Sequence, residues 1–150
     1  MAVFIDSDHD DAERRTGLYA GDIYVYSATA AAKEFVAFAQ DYVRDGFGGR
    51  DPEHLQYEMD VTEYATLLAD LKPKFIHHEE SKRLIRRLLV ECGCDADDTY
   101  FDVPRLRTST SDGYLTTGIA FAFHPHRDTW YSAPMCQVNW WMPVFPTAPA

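Results

Sequence analysis

Apolar positions along the chain follow two rhythms. Over residues 28–44, Ala31, Phe35, Phe38, Ala39, Tyr42 and Val43 recur at three- and four-residue intervals, which predicts an amphipathic helix with Ser27 as N-cap and Gly46 as its stop. Asp60 and Glu63 form a capping-box pattern before a second helix over 61–71, whose buried face is Tyr64, Leu67, Leu68 and Leu71. Pro73 is expected to end or restart that helix, because proline cannot donate to the preceding turn. A third helix over 79–92 carries Leu84, Ile85, Leu88 and Leu89 opposite Lys82, Arg83, Arg86 and Arg87, with Gly93 suited to the position after its end. Ahead of these, Ile23 and Val25 alternate with Tyr24 and Tyr26 in a short strand over 21–27. Residues 1–15 hold Asp6, Asp8, Asp10, Asp11 and Glu13 with few apolar partners, gain little by ordering, and are expected to form a mobile arm.

From Asp95 the rhythm changes. TYFDVPRLRTST, GYLTTGIAFAFHPH and CQVNWWMPVF are short runs rich in aromatic and β-branched residues, and each reads as a strand. A mainly helical region over 21–93 followed by a strand region over 95–145, with no repeat and no linker between them, predicts a single α+β domain sharing one core over 1–150.

Composition narrows the function classes. The chain has 150 residues and a net charge of −10, and its one basic cluster, KRLIRR, is short, so binding along a nucleic-acid backbone is excluded. No run approaches the roughly 20 apolar residues of a spanning helix, which argues against a membrane partner. The first residues lack the cationic start and apolar run of a secretory signal, and the three cysteines are odd in number, so reduced thiols and a cytoplasmic location are expected.

The densest chemistry lies between Ala120 and Phe145. In His126-Arg127-Asp128, positions i and i+2 of an extended segment project to one side, so an imidazole and a carboxylate can converge on one metal ion. Two such ligands are two thirds of the 2-His-1-carboxylate triad that leaves Fe(II) with open positions. HRDTWY followed by NWWMPV resembles the first half of the double-stranded β-helix of Fe(II)/2-oxoglutarate dioxygenases, in particular the phytanoyl-CoA dioxygenase-like group, over roughly residues 99–145.

That resemblance implies N-terminal helices packed on a partial double-stranded β-helix, a cupin-like jelly roll. It implies His126 and Asp128 as iron ligands, and Fe(II) and 2-oxoglutarate as cofactors. It also implies a hydroxylase-type oxidation of a small-molecule substrate. Gln137 and Asn139, one strand on, are candidates to hydrogen-bond the cosubstrate carboxylate, and Trp130, Tyr131 and Trp141, with Trp140, to line a substrate pocket. The family's second His and its carboxylate-pairing Arg or Lys have no counterpart, since the 22 residues after Asp128 contain no His, Arg or Lys. The chain is therefore expected to be a truncated front portion with little or no activity alone, completed by another copy or a complementing chain. The alternative is a non-catalytic remnant of the same fold that binds a partner through exposed strands.

Blander accounts stand beside these signals. His126 and Asp128 could be a structural hydrogen-bonded pair, and His124 could join them in a complete cupin-like metal site or remain a surface residue. The tryptophans could be core, and Gln137 and Asn139 ordinary polar pairing. His77-His78-Glu79-Glu80 reads better as a helix start than as a metal cluster, because neighbours on a helix do not face each other. Arg105 and Arg107 could hold an anion or form an ion-paired face, and the basic face of the third helix reads as solvated. The acidic runs read as solvated loops, and Cys92 and Cys94 as buried or helix-capping thiols.

Overall fold

The computed structural model describes residues 1–115, 130 and 133–146. Its elements are β1 (Val3–Ile5), α1 (Asp11–Tyr19), β2 (Ile23–Val25), α2 (Ala30–Gly46), a 3-10 turn (Leu55–Tyr57), α3 (Val61–His77) and α4 (Glu79–Glu91). β1 and β2 pair in parallel, with Val3 opposite Ile23, Phe4 opposite Tyr24 and Ile5 opposite Val25.

The expected mobile arm instead supplies β1 and the start of α1. Asp10 caps α1 in a reciprocal capping box with Glu13, so two orphan N–H groups of the first turn are satisfied by the acidic residues that read as disorder. α1 then lies close on β2. A Cβ on Gly17 would overlap the Tyr24 hydroxyl, so glycine is what this approach requires. Phe4 and Tyr24 stack at 4.9 Å, and Tyr24 Oη bonds His9 Nδ1 at 3.0 Å.

α2 begins two residues later than expected, capped by Thr29 rather than Ser27, the Thr29 side chain accepting from the Ala32 N–H. Its buried residues include Ala31, Ala32 and Ala39, small enough to bring α4 against it, and Glu91 at the end of α4 accepts from the Ala31 N–H at 2.8 Å. α3 runs through Pro73 to His77 rather than stopping before it. The proline sits on the exposed side, where the lost donor costs least, and the extra turn buries Phe75. Phe75 is 2% exposed and meets Phe35, Phe38 and Tyr42 at ring distances of 6.1, 5.9 and 5.2 Å. Buried Ser81 on α4 donates to the Phe75 carbonyl at 2.9 Å and fixes the α3–α4 corner.

The jelly-roll expectation is overturned. Among the described residues the protein is mostly helical, with four α-helices and only the two-stranded parallel sheet, and no double-stranded β-helix is formed. The described parts of 95–146 run as irregular or extended chain over the helices without a strand ladder. Side chains anchor them instead: Tyr114 Oη donates to the Met59 carbonyl at 2.6 Å, Gln40 Nε2 donates to the Val144 carbonyl at 2.7 Å, and Met142 and Val144 pack on the helical core. Aromatic and β-branched residues favour extended backbone, but a ladder needs donors and partner strands, and Pro104, Pro134 and Pro143 each remove an N–H from this stretch.

Candidate functional site

His126, Asp128 and Tyr131, with His124, lie outside the described residues. The structure does place the chain that follows them. Residues 137–144 cross the helical body in a two-residue rhythm: Val138, Met142 and Val144 are partly buried, while Gln137, Asn139 and Trp141 are exposed. Gln137 and Asn139 are brought together, the Gln137 amide donating to Asn139 Oδ1 at 2.9 Å. Trp141, 76% exposed, shares their outward face, and Trp130 is 66% exposed, so neither tryptophan serves the core.

Trp140 is the anchor of this segment. Its ring stacks on Tyr26 at 6.4 Å and lies 5.4 Å from the Arg14 guanidinium carbon, with Tyr26 itself 5.9 Å from that carbon. Nearby, the Tyr19 hydroxyl donates to the Cys136 carbonyl at 3.1 Å. The segment after the HRD motif is thus held against the β1–α1–β2 unit at one end and α2 at the other.

Arg14 is the residue that sequence reasoning missed. It is 3% exposed, donates to the Cys92 carbonyl at 2.8 Å and to Asp11 Oδ1 at 2.6 Å, and has Cys94 Sγ at 3.6 Å. Burial opposes its charge, but the adjoining Tyr26 hydroxyl and the Asp11 carboxylate outweigh that penalty and hold the guanidinium protonated. The Cys92 carbonyl lies at the end of α4, where the helix dipole favours a cation. Asp11 also receives Arg15 Nε at 2.7 Å. The only sequence signal for this cluster was local, the spacing of Asp11 to Arg14 and Arg15 at i+3 and i+4.

A cavity of about 380 Å³ opens beside Arg14, lined among others by Asp6, His9, Tyr26, Glu91 and Cys92. Burial pushes the Cys92 and Cys94 thiols up from their ordinary range, which disfavours thiolate chemistry there. Cys92 is the C-cap of α4, followed by Gly93 at φ 78°.

Other sequence signals find structural roles. His78 caps α4, its Nδ1 accepting from the Glu80 N–H at 3.1 Å. The basic face of α4 is ion-paired: Arg83 bridges Glu80 and Glu34, and Arg87 reaches Glu34 and Glu91. Arg105 meets Asp102 at 3.0 Å. Lys72 donates to Thr108 Oγ1 at 2.7 Å, and burial together with the Arg107 charge lowers its pKa to about 8.

Among the described residues no group of three or more His, Cys, Asp or Glu could hold a metal ion, and no helix is long and apolar enough to cross a membrane. No family model, curated protein or solved structure matches the chain.

Proposed function

We propose that the chain carries the iron-binding HxD element of an Fe(II)/2-oxoglutarate-dependent oxygenase acting on a small molecule, with His126 and Asp128 as metal ligands. The observation that carries this reading is the sequence HRDTWY with NWWMPV behind it. One imidazole nitrogen and one carboxylate oxygen at i and i+2 are the donor types that suit Fe(II) with positions left open. The outward face shared by Gln137, Asn139 and Trp141 supports it, because polar groups able to bind a carboxylate stand beside an aromatic surface with little of their own area buried.

Iron held there would supply activation of O₂ together with 2-oxoglutarate, one oxygen atom going to the substrate carbon as a hydroxyl and the other into succinate as CO₂ leaves. The residues of this chain would hold the metal and orient the cosubstrate. Residues 129–150 contain no His, Arg or Lys to serve as a third ligand or as the cation for the distal carboxylate. Fe(II) binding measured anaerobically on the purified chain tests the assignment. Asp128→Ala and His126→Ala should each abolish it, whereas Gln137→Ala should leave it intact, and retained binding in Asp128→Ala would sink the site.

A further inference from the structure

The parallel strands β1 and β2 end at Ile5 and Val25, which pair with each other, so the chain leaves both strands at the same end of the sheet. In parallel α/β units that end is where ligands sit, in the crevice beyond the carboxyl ends of the strands. The cavity of about 380 Å³ lies there. Residues 6–9 come from the connection after β1, and Tyr26, Ser27 and Thr29 from the connection after β2, while Arg14 of α1 and residues 91–93 at the end of α4 complete the lining. Its volume falls at the small end of the roughly 300–1,000 Å³ of ligand pockets.

The lining leaves hydrogen-bond capacity unused. A guanidinium has five N–H groups. Arg14 gives one from Nη1 to the Cys92 carbonyl and both from Nη2, to Asp11 and Cys94 Sγ, so Nε and the second Nη1 hydrogen are unbonded among the described residues. The Tyr26 hydroxyl adjoins this guanidinium, yet it is buried with no partner in bonding geometry among the described residues. Native structures rarely leave such groups unpaired. Each of them can donate, so the partner they lack is an acceptor.

Carboxylates stand next to these donors. Ser27, adjacent to Tyr26, holds Asp6 through its N–H and, at 2.7 Å, its hydroxyl. Glu91 precedes Cys92, whose carbonyl holds Arg14, and Asp8 is exposed and unpaired among the described residues. With three carboxylates on the lining and Arg14 already paired to Asp11, a lone anion is repelled. A lone cation leaves Arg14 and Tyr26 unmatched.

We propose that this cavity binds a small α-amino acid as its zwitterion, the carboxylate accepting from Arg14 and Tyr26 and the ammonium held by the carboxylates of Asp6, Asp8 and Glu91. The site is independent of His126 and Asp128 and needs no metal.

The test is ¹⁵N NMR titration of the full metal-free chain with L-alanine and with two analogues that each lack one charge, propionate and L-alaninamide. L-Alanine should shift the amides of residues 6–9, Ser27 and 91–93, and each analogue should bind at least about tenfold more weakly, the weight of a charge-assisted hydrogen bond. Tyr26→Phe keeps the ring stacked on Trp140 and removes only the unpartnered hydroxyl, so it should weaken L-alanine at least about threefold without lowering the urea midpoint. Asp8→Asn, at an exposed position outside the core, should weaken L-alanine as well. No shifts along the lining up to about 50 mM L-alanine would overturn the proposal. Equal binding of propionate would do so too, since the site would then take any small anion, as would equal binding of L-alaninamide, which would leave a cation site. Binding untouched in both Tyr26→Phe and Asp8→Asn would likewise contradict it.

Discussion

Replacing Arg14 with methionine removes the charge from the point where α1, the end of α4 and the Trp140 segment meet, while keeping an unbranched stem of similar length. Two charge-assisted hydrogen bonds disappear, to the Cys92 carbonyl and to Asp11. Each contributes about 1.5–3 kcal/mol when buried. Asp11 is not orphaned, because Arg15 still holds it and its side chain is 28% exposed, so its share falls at the low end. The Cys92 carbonyl does lose a cationic partner, and the contact over Trp140 contributes about another 0.5–1 kcal/mol. The net expected loss is about 2–4 kcal/mol. In urea unfolding, with a slope of about 2 kcal/mol/M, the midpoint should drop by about 1–2 M. Asp11→Ala should cost at least as much, because it strands a buried guanidinium. A loss below about 1 kcal/mol in Arg14→Met, with Asp11→Ala equally mild, would refute the view that this cluster joins the N-terminal unit to the helical body.

Three further outcomes follow from the same structure. Phe75→Ala, at the meeting point of Phe35, Phe38 and Tyr42, should cost about 3–5 kcal/mol in the same assay, and a loss under about 1 kcal/mol would mean α3 does not pack there. Lys72 has a folded pKa of about 8 against 10.5 for the ordinary side chain, so the unfolded chain binds more protons between those values and stability should rise with pH across that window. The full shift corresponds to about 3 kcal/mol, which solvent screening of this half-buried amine cuts to about 1–2; Lys72→Met should flatten the rise and add stability below pH 8, and an unchanged profile would contradict the assigned cause. Iron binding should vanish in His126→Ala and Asp128→Ala and persist in Gln137→Ala, read by anaerobic equilibrium dialysis.

How far the fold was legible depended on whether its signals were local. α3 and α4 declare themselves through Tyr64, Leu68 and Leu71 and through Leu84 and Leu88, all of which the structure buries. Pro73 misplaced the end of α3 because a local steric cost was weighed without the burial of Phe75 two residues on. Acidic composition over residues 1–15 predicts disorder, yet Asp10 and Glu13 stand at the capping-box spacing and their carboxylates cap α1. The strand region misled for a different reason. Propensity reports extended backbone, whereas a sheet needs partners, and the described part of this stretch is held by side chains such as Tyr114 and Met142 instead. Arg14 could not be read locally, since its carbonyl partner on Cys92 lies 78 residues away.

The central claim is that His126 and Asp128 are iron ligands of a keto-acid-dependent oxygenase site. Anaerobic titration of the purified chain with Fe(II) and then 2-oxoglutarate tests it without knowledge of the substrate. The account predicts a weak visible charge-transfer band that saturates with 2-oxoglutarate and is lost in Asp128→Ala. Fe(II) that binds without any such band, or a band that survives in Asp128→Ala, would contradict it.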